Sequence, residues 1–277
     1  MAACEPIAHE FMDLTVPEYA YMFGFLQADG HLEKGTGRKG RLKVEISARD
    51  VQVLYEFQRL TPYYSRVTER TRTTNFAEVC TSAIWTLCAL EARTRINELG
   101  LPYGRKSRTV EPPQGTFSAY DYVRGIIDAD GSVGITKAGL PFVAVTTASA
   151  KIGAYICSYA QQVTGAERTL NRNARDDIYN ILYTKENAQE LAASLYYPGS
   201  LSLARKQAAA SALSKWVRPA NMKIAPQRKR WTEQEDRVLL QLNNHAEAAT
   251  ALGRTEKSCC IRLCRLRNGQ APTPADK

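Results

Sequence analysis

Hydrophobic and polar positions follow an order along the chain that predicts both strands and helices. Leu42–Ser47 alternates apolar and polar residues, as expected of a strand with one buried face, and Pro141–Thr146 is also strand-like. Val51–Phe57 and Ile152–Tyr159 instead repeat their apolar residues three and four positions apart, which predicts amphipathic helices. Each strand pattern precedes one of the helix patterns. The sequence therefore predicts an α+β protein.

Two nine-residue segments share one frame, apolar-x-Gly-apolar-apolar-x-Ala-Asp-Gly. They are Met22–Gly30 and Val123–Gly131, which place Asp29 and Asp130 at a spacing of 101 residues (130 − 29). The strand and helix patterns follow each segment in the same order. An Arg-Lys pair closes each half at a spacing of 100 residues (206 − 106), with the lysines at Lys106 and Lys206. Matching spacings at the acid, the strand and the lysine indicate an internal duplication.

Both nine-residue segments are predicted to end helices. Capping boxes starting at Thr15 and Ser118 are expected to begin these helices. Gly30 and Gly131 are expected to stop them, because glycine commonly follows the last helical residue. Each helix also carries a glycine and an alanine four residues apart, on one face, which favours close packing of two helices. These small residues are Gly24, Ala28, Gly125 and Ala129.

The acids at the helix ends are the candidate chemistry. A carboxylate at Asp29 or Asp130 faces the negative end of its helix dipole, and pairing of the two helices adds mutual repulsion. Divalent cations would relieve both penalties, and hard oxygen ligands suit Mg²⁺. Two carboxylates holding metal beside a phosphate are typical of metal-assisted phosphodiester hydrolysis.

The two segments resemble the LAGLIDADG motif, and the repeat plan covers about residues 10–215. The resemblance implies two pseudo-symmetric αββαββα repeats, with the motif helices at their interface and a saddle of strands lying in the DNA major groove. It implies a homing endonuclease that acts as a monomer and cuts both strands of double-stranded DNA. The implied cofactor is Mg²⁺, with Mn²⁺ or Ca²⁺ able to substitute for binding. Because the two halves differ in sequence, the target is expected to be long and asymmetric.

The resemblance also implies roles for particular residues. Asp29 and Asp130, the eighth motif residues, would bind metal and be catalytic; the sixth residues, Gln27 and Asp128, are not counted as catalytic. The implied catalytic set also includes two kinds of residue. Basic residues would hydrogen-bond the waters around the metal or stabilise the phosphorus under attack, and one polar strand residue would lie near each metal-binding acid. They are Lys106, Lys206, Glu45 and Thr146.

Charge and composition agree with a nucleic-acid partner. The 277 residues include 37 Lys+Arg and 28 Asp+Glu, giving a net charge of +9, which favours a polyanionic partner. No apolar run is long enough to cross a bilayer and the N-terminus lacks the order of a signal peptide, so a soluble intracellular protein without a membrane partner is expected. The odd number of cysteines, seven, fits a reducing compartment. Helix packing, rather than zinc binding, is expected for Cys259, Cys260 and Cys264.

Cations and amides cluster between the predicted strands of each half, where arginine can read guanine and asparagine can read adenine. Collectively they are expected to line the DNA, although any single arginine is better explained as a phosphate contact or a solvated charge. In the first half they are Lys34, Arg38, Lys39, Arg41, Lys43, Arg66, Arg70 and Arg72. In the second half they are Lys137, Arg168, Asn171, Arg172 and Arg175.

The chain is expected to divide into six parts: repeat 1 (10–110), a linker (111–116), repeat 2 (117–214), a basic linker (215–228), a helix-turn-helix (229–268) and a polar tail (269–277). The helix-turn-helix resembles Myb/SANT-like modules, through a Trp-Thr start capped by Thr232 and Glu235 and a Leu-Gly-Arg-Thr turn at Gly253. Its third helix is expected to enter the major groove. The DNA-contacting residues would be Arg254, Lys257, Arg262 and Arg265.

Other functions fit parts of the same pattern. An RNA-splicing maturase of the same fold would bind intron RNA without cutting DNA, and a non-catalytic DNA-binding regulator would use the repeat only as a clamp. SANT-like modules can also bind proteins. Retention of both motif acids and both lysines, together with the DNA-type helix-turn-helix, favours the endonuclease.

Overall fold

A computed structural model describes residues 10–74, 77–173, 175–222, 231–272 and 274, excluding the side chains of Arg38, Thr74 and residues 77–80. The chain divides into two compact units, Met1–Arg218 and Pro219–Lys277. Part of the basic linker and of the polar tail expected from the sequence lies outside the described residues. In the described part of the chain, no helix combines the length and the apolar character needed to cross a lipid bilayer.

The first unit contains two successive αββαββα arrangements, as the resemblance implies. The first consists of α1 (Pro17–Asp29), β1 (His31–Leu32), β2 (Leu42–Ser47), α2 (Gln52–Leu60), β3 (Ser65–Thr74), β4 (Ala77–Leu87) and α3 (Leu90–Glu98). The second consists of α4 (Ala119–Asp130), β5 (Gly131–Ile135), β6 (Pro141–Thr147), α5 (Ala150–Thr164), β7 (Arg172–Asn173), β8 (Ile178–Thr184) and α6 (Glu186–Leu195). Helix α7 (Ala204–Leu213) follows the second repeat. The α+β fold class is confirmed.

Each repeat forms a four-stranded antiparallel sheet, ordered β1-β2-β4-β3 in the first and β5-β6-β8-β7 in the second. The strand registers are equivalent. His31 lies opposite Lys43 in the first sheet. The residues 101 positions later, Ser132 and Ala144, lie opposite each other in the second sheet. The same offset makes Glu45 on β2 equivalent to Thr146 on β6, so the two residues occupy corresponding places in the two sheets.

The alternation in β2 and β6 separates a core face from a solvent face. Leu42 and Val44 on β2 are fully buried, whereas Glu45 on the same strand is exposed. Val143 and Val145 on β6 are buried in the same way. A single apolar core extends from these faces to both motif helices and includes aromatic side chains of α1 and α2 and of β4. Burial on one side only fixes the strand register, because a slip of one residue would expose the apolar set.

The starts of the motif helices differ from the predicted capping boxes. Helix α1 begins at Pro17, but the Thr15 hydroxyl donates to Asp13 Oδ1 at 2.7 Å and does not cap the helix. Ser118 is the N-cap residue of α4, yet its hydroxyl donates to the Asp121 carboxylate and accepts no backbone N–H. In both places a nearby aspartate is the stronger acceptor and takes the hydroxyl proton. The capping boxes were therefore wrong, although the helix positions were right.

The motif helices end at Gly30 and Gly131, as predicted. Both glycines have extended backbone, with φ of −70° and −103°, and so are not needed for a left-handed turn. A Cβ at Gly30 would instead lie 2.5 Å from the Leu26 carbonyl oxygen, and one at Gly131 would lie 2.7 Å from that of Ile127. Glycine is required here because the chain turns back tightly against the last turn of the helix.

The described residues of the second unit form three helices, α8 (Glu233–Leu242), α9 (His245–Leu252) and α10 (Glu256–Arg267). Thr232 and Glu235 form the predicted capping box of α8, and Gly253 adopts the left-handed turn after α9 with φ of 59°. Cys259 packs in the small core of this unit, but Cys260 and Cys264 are exposed on α10. The helix-packing expectation therefore holds for Cys259 and was wrong for the other two cysteines.

Candidate active site

Helices α1 and α4 cross with their backbones in direct contact. A Cβ added to Gly24 would lie 2.2 Å from the Tyr122 carbonyl oxygen, and one added to Gly125 would lie 2.1 Å from that of Tyr21. No real Cβ approaches an oxygen so closely, so glycine is obligatory at both positions. Ala28 and Ala129 lie one turn further along, where the helices end. The small residues identified from the sequence thus bring both helix ends to one place.

Two reciprocal hydrogen bonds tie the crossing helices together. Tyr21 on α1 donates from its hydroxyl to Asp128 Oδ2 on α4 at 2.8 Å, and Tyr122 on α4 donates to Gln27 Oε1 on α1. The tyrosines are 101 residues apart, as are their acceptors. All four side chains are buried. These tyrosines were not singled out from the sequence, although their equal spacing with the motifs was available as a signal.

The sixth motif residues also hold the segment that follows each repeat. Gln27 Nε2 donates to the carbonyl oxygens of Gly100 and Glu111 at 3.1 and 2.9 Å. Asp128 accepts from the Leu203 backbone N–H at 2.7 Å and from the Tyr196 hydroxyl at 2.7 Å. Burial raises the pKa of Asp128, while these donors and Tyr21 oppose that shift. Gln27 and Asp128 are therefore structural anchors on either side of the crossing.

Asp29 and Asp130 lie together at the joined helix ends. Both carboxyl groups reach solvent, but the surrounding protein desolvates them. Desolvation, followed by the negative charge of Asp130, raises the pKa of Asp29 to about 6. Desolvation also raises the pKa of Asp130, and the charges of Lys106 and Lys206 oppose the rise at both acids. Two acids and two lysines thus form one electrostatically coupled cluster.

The two lysines donate to backbone carbonyl oxygens at the ends of the motif helices and, for Lys206, at the first residue of β5. Lys106 Nζ donates to the carbonyl oxygens of Gln27, at 2.7 Å, and Ala28. Lys206 Nζ donates to those of Ile127, Asp128 and Gly131, at 2.6, 2.7 and 2.8 Å. A positive charge at the C-terminal end of a helix offsets its dipole. The lysines therefore offset the unfavourable position of the neighbouring acids, a role the sequence did not reveal.

Desolvation lowers the pKa of both lysines, to about 8 for Lys206, while neighbouring carboxylates act in the opposite direction. For Lys106 these carboxylates are Asp130 first and Asp29 second; for Lys206 they include Asp128 and Asp29. Each lysine caps the motif helix of its own repeat and also interacts electrostatically with the motif acid of the other repeat. The centre is therefore built from both repeats.

Further contacts fix each lysine-bearing segment to the opposite repeat. Arg205 pairs with Asp50, which follows β2, with Nε 2.9 Å from Oδ2. At the equivalent place near Lys106, Glu111 pairs with Lys151 of α5, and the Ser149 hydroxyl donates to the Val110 carbonyl oxygen at 2.6 Å. These crossed contacts hold the lysines in place relative to the acids.

A cavity of about 250 Å³ opens beside Asp130. Lys106, Thr146 and Ala28 line it, together with apolar side chains such as Ile126 and Ile152. Thr146 is exposed at its rim and donates to Asn180 Oδ1 at 3.0 Å. On the equivalent strand Glu45 accepts from the Ser82 hydroxyl at 2.7 Å and lies 3.5 Å from Arg72. The cavity is large and polar enough to admit water.

The solvent face of the first sheet carries most of the cations expected to line DNA. Lys43 on β2 lies in one cross-strand row with Thr86 and Arg66, and Arg70 lies opposite Ser82 in another. Arg93 is fully buried and holds the loop between β1 and β2, because it donates to the carbonyl oxygens of Glu33, Gly35 and Gly37. The remaining exposed cations of this surface are Lys34, Lys39, Arg41 and Arg72. The side chain of Arg38 lies outside the described residues.

The second repeat presents fewer exposed cations on its strands. Lys137 is exposed in the β5–β6 turn, and Asn171 is exposed before β7. Arg168 donates to the Leu182 carbonyl oxygen and lies over the Tyr183 ring. The other two predicted cations are engaged in exposed ion pairs, Arg172 with Asp177 and Arg175 with Asp176. The second sheet therefore presents fewer cations than the first, in which Arg41 and Lys43 also pair with an acid, Glu33.

Two of the cations expected to contact DNA in the second unit serve its folding. Arg254 pairs with Glu235 at 2.8 Å and lies 4.1 Å from the centroid of the Trp231 ring, and its side chain is 7% exposed. Arg262 pairs with Asp236 and lies over the same ring. Nearly buried acids and an indole occupy the guanidinium groups of Arg254 and Arg262, so both arginines stabilise this unit, and their contact with DNA stays a prediction. Lys257 and Arg265 are exposed on α10.

No protein-family model matches the chain, and no curated protein matches it. Among solved structures, the chain is similar to the LAGLIDADG homing endonuclease I-GzeII in complex with its DNA target, with 13% identity, a TM-score of 0.46 and coverage of 72% of this chain and 89% of that one. It is also similar to the meganuclease I-SmaMI bound to uncleavable DNA, with 10% identity, a TM-score of 0.47 and coverage of 84% and 95%. A third similarity is to full-length DUF199/WhiA from Thermatoga maritima, with 9% identity, a TM-score of 0.43 and coverage of 92% and 93%.

Proposed function

We propose that this protein is a site-specific endonuclease that hydrolyses both strands of double-stranded DNA with a divalent metal. The observation that carries the proposal is the cluster at the crossing helix ends, where Asp29 and Asp130 lie between Lys106 and Lys206. A purely structural crossing gains nothing from two desolvated acids at the negative ends of two helices. A cation would use the two carboxylates, and a phosphate would use the ammonium group of Lys106.

The acid pair fits Mg²⁺. Asp29 and Asp130 would be the protein ligands, because their carboxyl groups lie together at the helix ends. Among the described residues, no group of three or more His, Cys, Asp or Glu side chains could hold a metal. Mg²⁺ is commonly held by one or two carboxylates, with waters and substrate phosphate completing its shell. When bound, the ion would polarise the scissile phosphate and lower the pKa of an attacking water. Mn²⁺ or Ca²⁺ would substitute for binding.

The other groups would position and stabilise the reacting phosphate. Lys106 and Thr146 line the cavity next to Asp130, where a water could be held in reach of the scissile phosphorus. Glu45 occupies the corresponding position on β2 of the first repeat. Lys206 fixes the end of α4 and hence the direction of Asp130. The crossed contacts described above would keep these groups in place before DNA arrives.

The surface supports DNA rather than another partner. The first sheet presents Lys43, Arg66 and Arg70 in cross-strand rows on one face, as needed to follow a groove lined by phosphates. The smaller number of cations on the second sheet makes the two half-surfaces unequal, so a single chain would bind a long asymmetric target as a monomer. In the second unit, Lys257 and Arg265 on α10 would add contacts to DNA.

The test is selection of a cleaved site from randomised duplex DNA in Mg²⁺, with EDTA as the metal-free control. We expect one long site to be cut in both strands by the full-length protein. The variants Asp29→Asn and Asp130→Asn are expected to bind the selected site and leave it intact. Tight binding by the wild type without any nick would instead indicate a DNA-binding regulator, and restored splicing of an intron RNA would indicate a maturase.

A further inference from the structure

Lys206 has no hydrogen-bond donor left for a substrate. A lysine ammonium group carries three N–H donors. Those of Lys206 meet three backbone carbonyl oxygens, at 2.6, 2.7 and 2.8 Å. Its side chain is also almost completely buried, with 3% of the residue exposed. Lys206 is therefore fully engaged in holding α4 to the start of β5.

Lys106, its equivalent in the first repeat, keeps one donor. Its Nζ donates to the carbonyl oxygens of Gln27 and Ala28, and no third acceptor is found for it among the described residues. It is also more accessible than Lys206. The cavity beside Asp130 is lined by Lys106 and provides space for a water or a phosphate oxygen at the remaining N–H.

The equivalent strand residues, Thr146 on β6 and Glu45 on β2, also favour a phosphate on the Lys106 side. On the Lys106 side, Thr146 is neutral and borders the cavity. On the other side, Glu45 carries a negative charge that disfavours a nearby phosphate, and Arg72, 3.5 Å away, offsets part of this charge. Of the three equivalent pairs, only the acids Asp29 and Asp130 match fully. The two lysines differ in the number of N–H donors already engaged, and the strand residues Thr146 and Glu45 differ in charge.

We infer that the two halves of the centre are unequal, and that the DNA strand next to Lys106, Asp130 and Thr146 is cut first. Water adds to phosphorus, the bond from phosphorus to the leaving oxygen breaks, one water proton passes to that oxygen and the other to solvent. The free N–H of Lys106 donates to the phosphate oxygen on which negative charge grows. The product of this first step is a duplex nicked in one defined strand. The inference rests on the proposed endonuclease function.

The test compares Lys106→Met with Lys206→Met on the selected target, with each strand end-labelled and enzyme in excess. We expect the wild type to accumulate a nick in one strand. Lys106→Met should slow cleavage of that strand by about 10²-fold, the loss typical of one missing donor to a developing oxyanion. Lys206→Met should slow both strands alike, because it disturbs a helix end shared by the whole centre. Lys215→Met, at an exposed position after α7, is the control.

A metal-free measurement checks the lysines themselves. Reductive methylation in EDTA, read by mass spectrometry, should modify Lys106 faster than Lys206, and Lys206→Met should lower the unfolding temperature more than Lys106→Met. Equal cleavage of the two strands, or equal methylation of the two lysines, would overturn the inference. A wild type that cuts the selected DNA with equal strand rates contradicts only this inference, whereas one that cuts no DNA contradicts the proposed function as well.

Discussion

The Tyr21 hydroxyl on one motif helix donates a hydrogen bond of 2.8 Å to Asp128 on the other. The duplicated pair, Tyr122 and Gln27, forms the same bond in the opposite direction. Together the two bonds lock the angle at which α1 and α4 cross. That angle decides whether the acids at the helix ends meet, so residues buried away from the solvent set the geometry of the candidate site.

The two bonds are expected to differ in strength. Tyr21→Phe removes a donor from a buried carboxylate and should lower the free energy of unfolding by about 2 kcal/mol, whereas Tyr122→Phe leaves a neutral amide and should cost about 1 kcal/mol. Urea denaturation of the two variants measures the difference. Tyr64→Phe, with a side chain that is 86% exposed, should have no effect. Equal losses for Tyr21→Phe and Tyr122→Phe would show that Asp128 carries no charge.

Replacement of either crossing glycine should push the helices apart. A Cβ at Gly125 would lie 2.1 Å from the Tyr21 carbonyl oxygen and 2.9 Å from the Phe25 nitrogen, and neither backbone atom can move without shifting α1. We expect Gly125→Ala to lower the free energy of unfolding by about 3 kcal/mol. Ala154→Ser, at an exposed position of α5, is the control for a small change on a helix. Wild-type stability in Gly125→Ala would show that the helices do not touch here.

Removal of one motif acid should stabilise the metal-free protein, and only above a certain pH. The pKa of Asp29 rises from 3.8 to about 6 in the folded state. Folding must therefore ionise a group that resists ionisation, and this penalty is complete above pH 6 and disappears as the pH falls below 4. In EDTA, Asp29→Asn should unfold at a higher temperature than the wild type at pH 7.5, and the gap should narrow at pH 4.5.

The control for that experiment is Glu190→Gln, at an exposed position of α6, which should give the same small difference from the wild type at both pH values. If Asp29→Asn were destabilising at pH 7.5, the carboxylate would be stabilised by its surroundings, and the need for a cation at this position would disappear.

The arginines of the second unit should separate folding from DNA binding. Arg254→Ala and Arg262→Ala each remove a guanidinium from a nearly buried acid and from the Trp231 ring. Leaving a buried acid without its partner costs about 3 kcal/mol or more. We expect these variants to lower the temperature at which the helices of residues 233–267 unfold. The measurement is the thermal unfolding transition of these helices, followed by circular dichroism in the full-length protein.

Lys257→Ala and Arg265→Ala change exposed positions of α10. We expect them to preserve the melting curve and to weaken DNA binding, with a smaller dependence of affinity on salt because fewer counterions are released. If all four variants weakened DNA binding with no change in melting, Arg254 and Arg262 would be DNA contacts after all.

Local patterns sufficed to predict the repeat plan. The equal spacing of the motif acids, the alternation in Leu42–Ser47 and the glycines at the helix ends each reflect backbone geometry that neighbouring residues impose. The equivalence of Glu45 and Thr146 follows from the same offset and agrees with the strand registers.

Contacts between distant residues could not be predicted in this way. The acceptors of Lys106 and Lys206 are backbone carbonyls, which have no signature in a sequence, so only the folded chain shows that one lysine is saturated. The ion pair of Arg254 with Glu235 could not be foreseen for a related reason. A cation near the end of a helix looks the same whether its partner is a phosphate or a buried glutamate.

The most direct test of the central claim is a double-mutant cycle on the selected target in Mg²⁺, measuring single-turnover cleavage of both strands. If Asp29 and Asp130 act as one cation-binding centre, Asp29→Asn and Asp130→Asn should each lower the cleavage rate of both strands to the same residual level, and the double variant should lose no more than either single one. DNA binding should persist in all three. Losses that add, or that are confined to one strand for each acid, would mean that the two acids work apart and would contradict the shared centre.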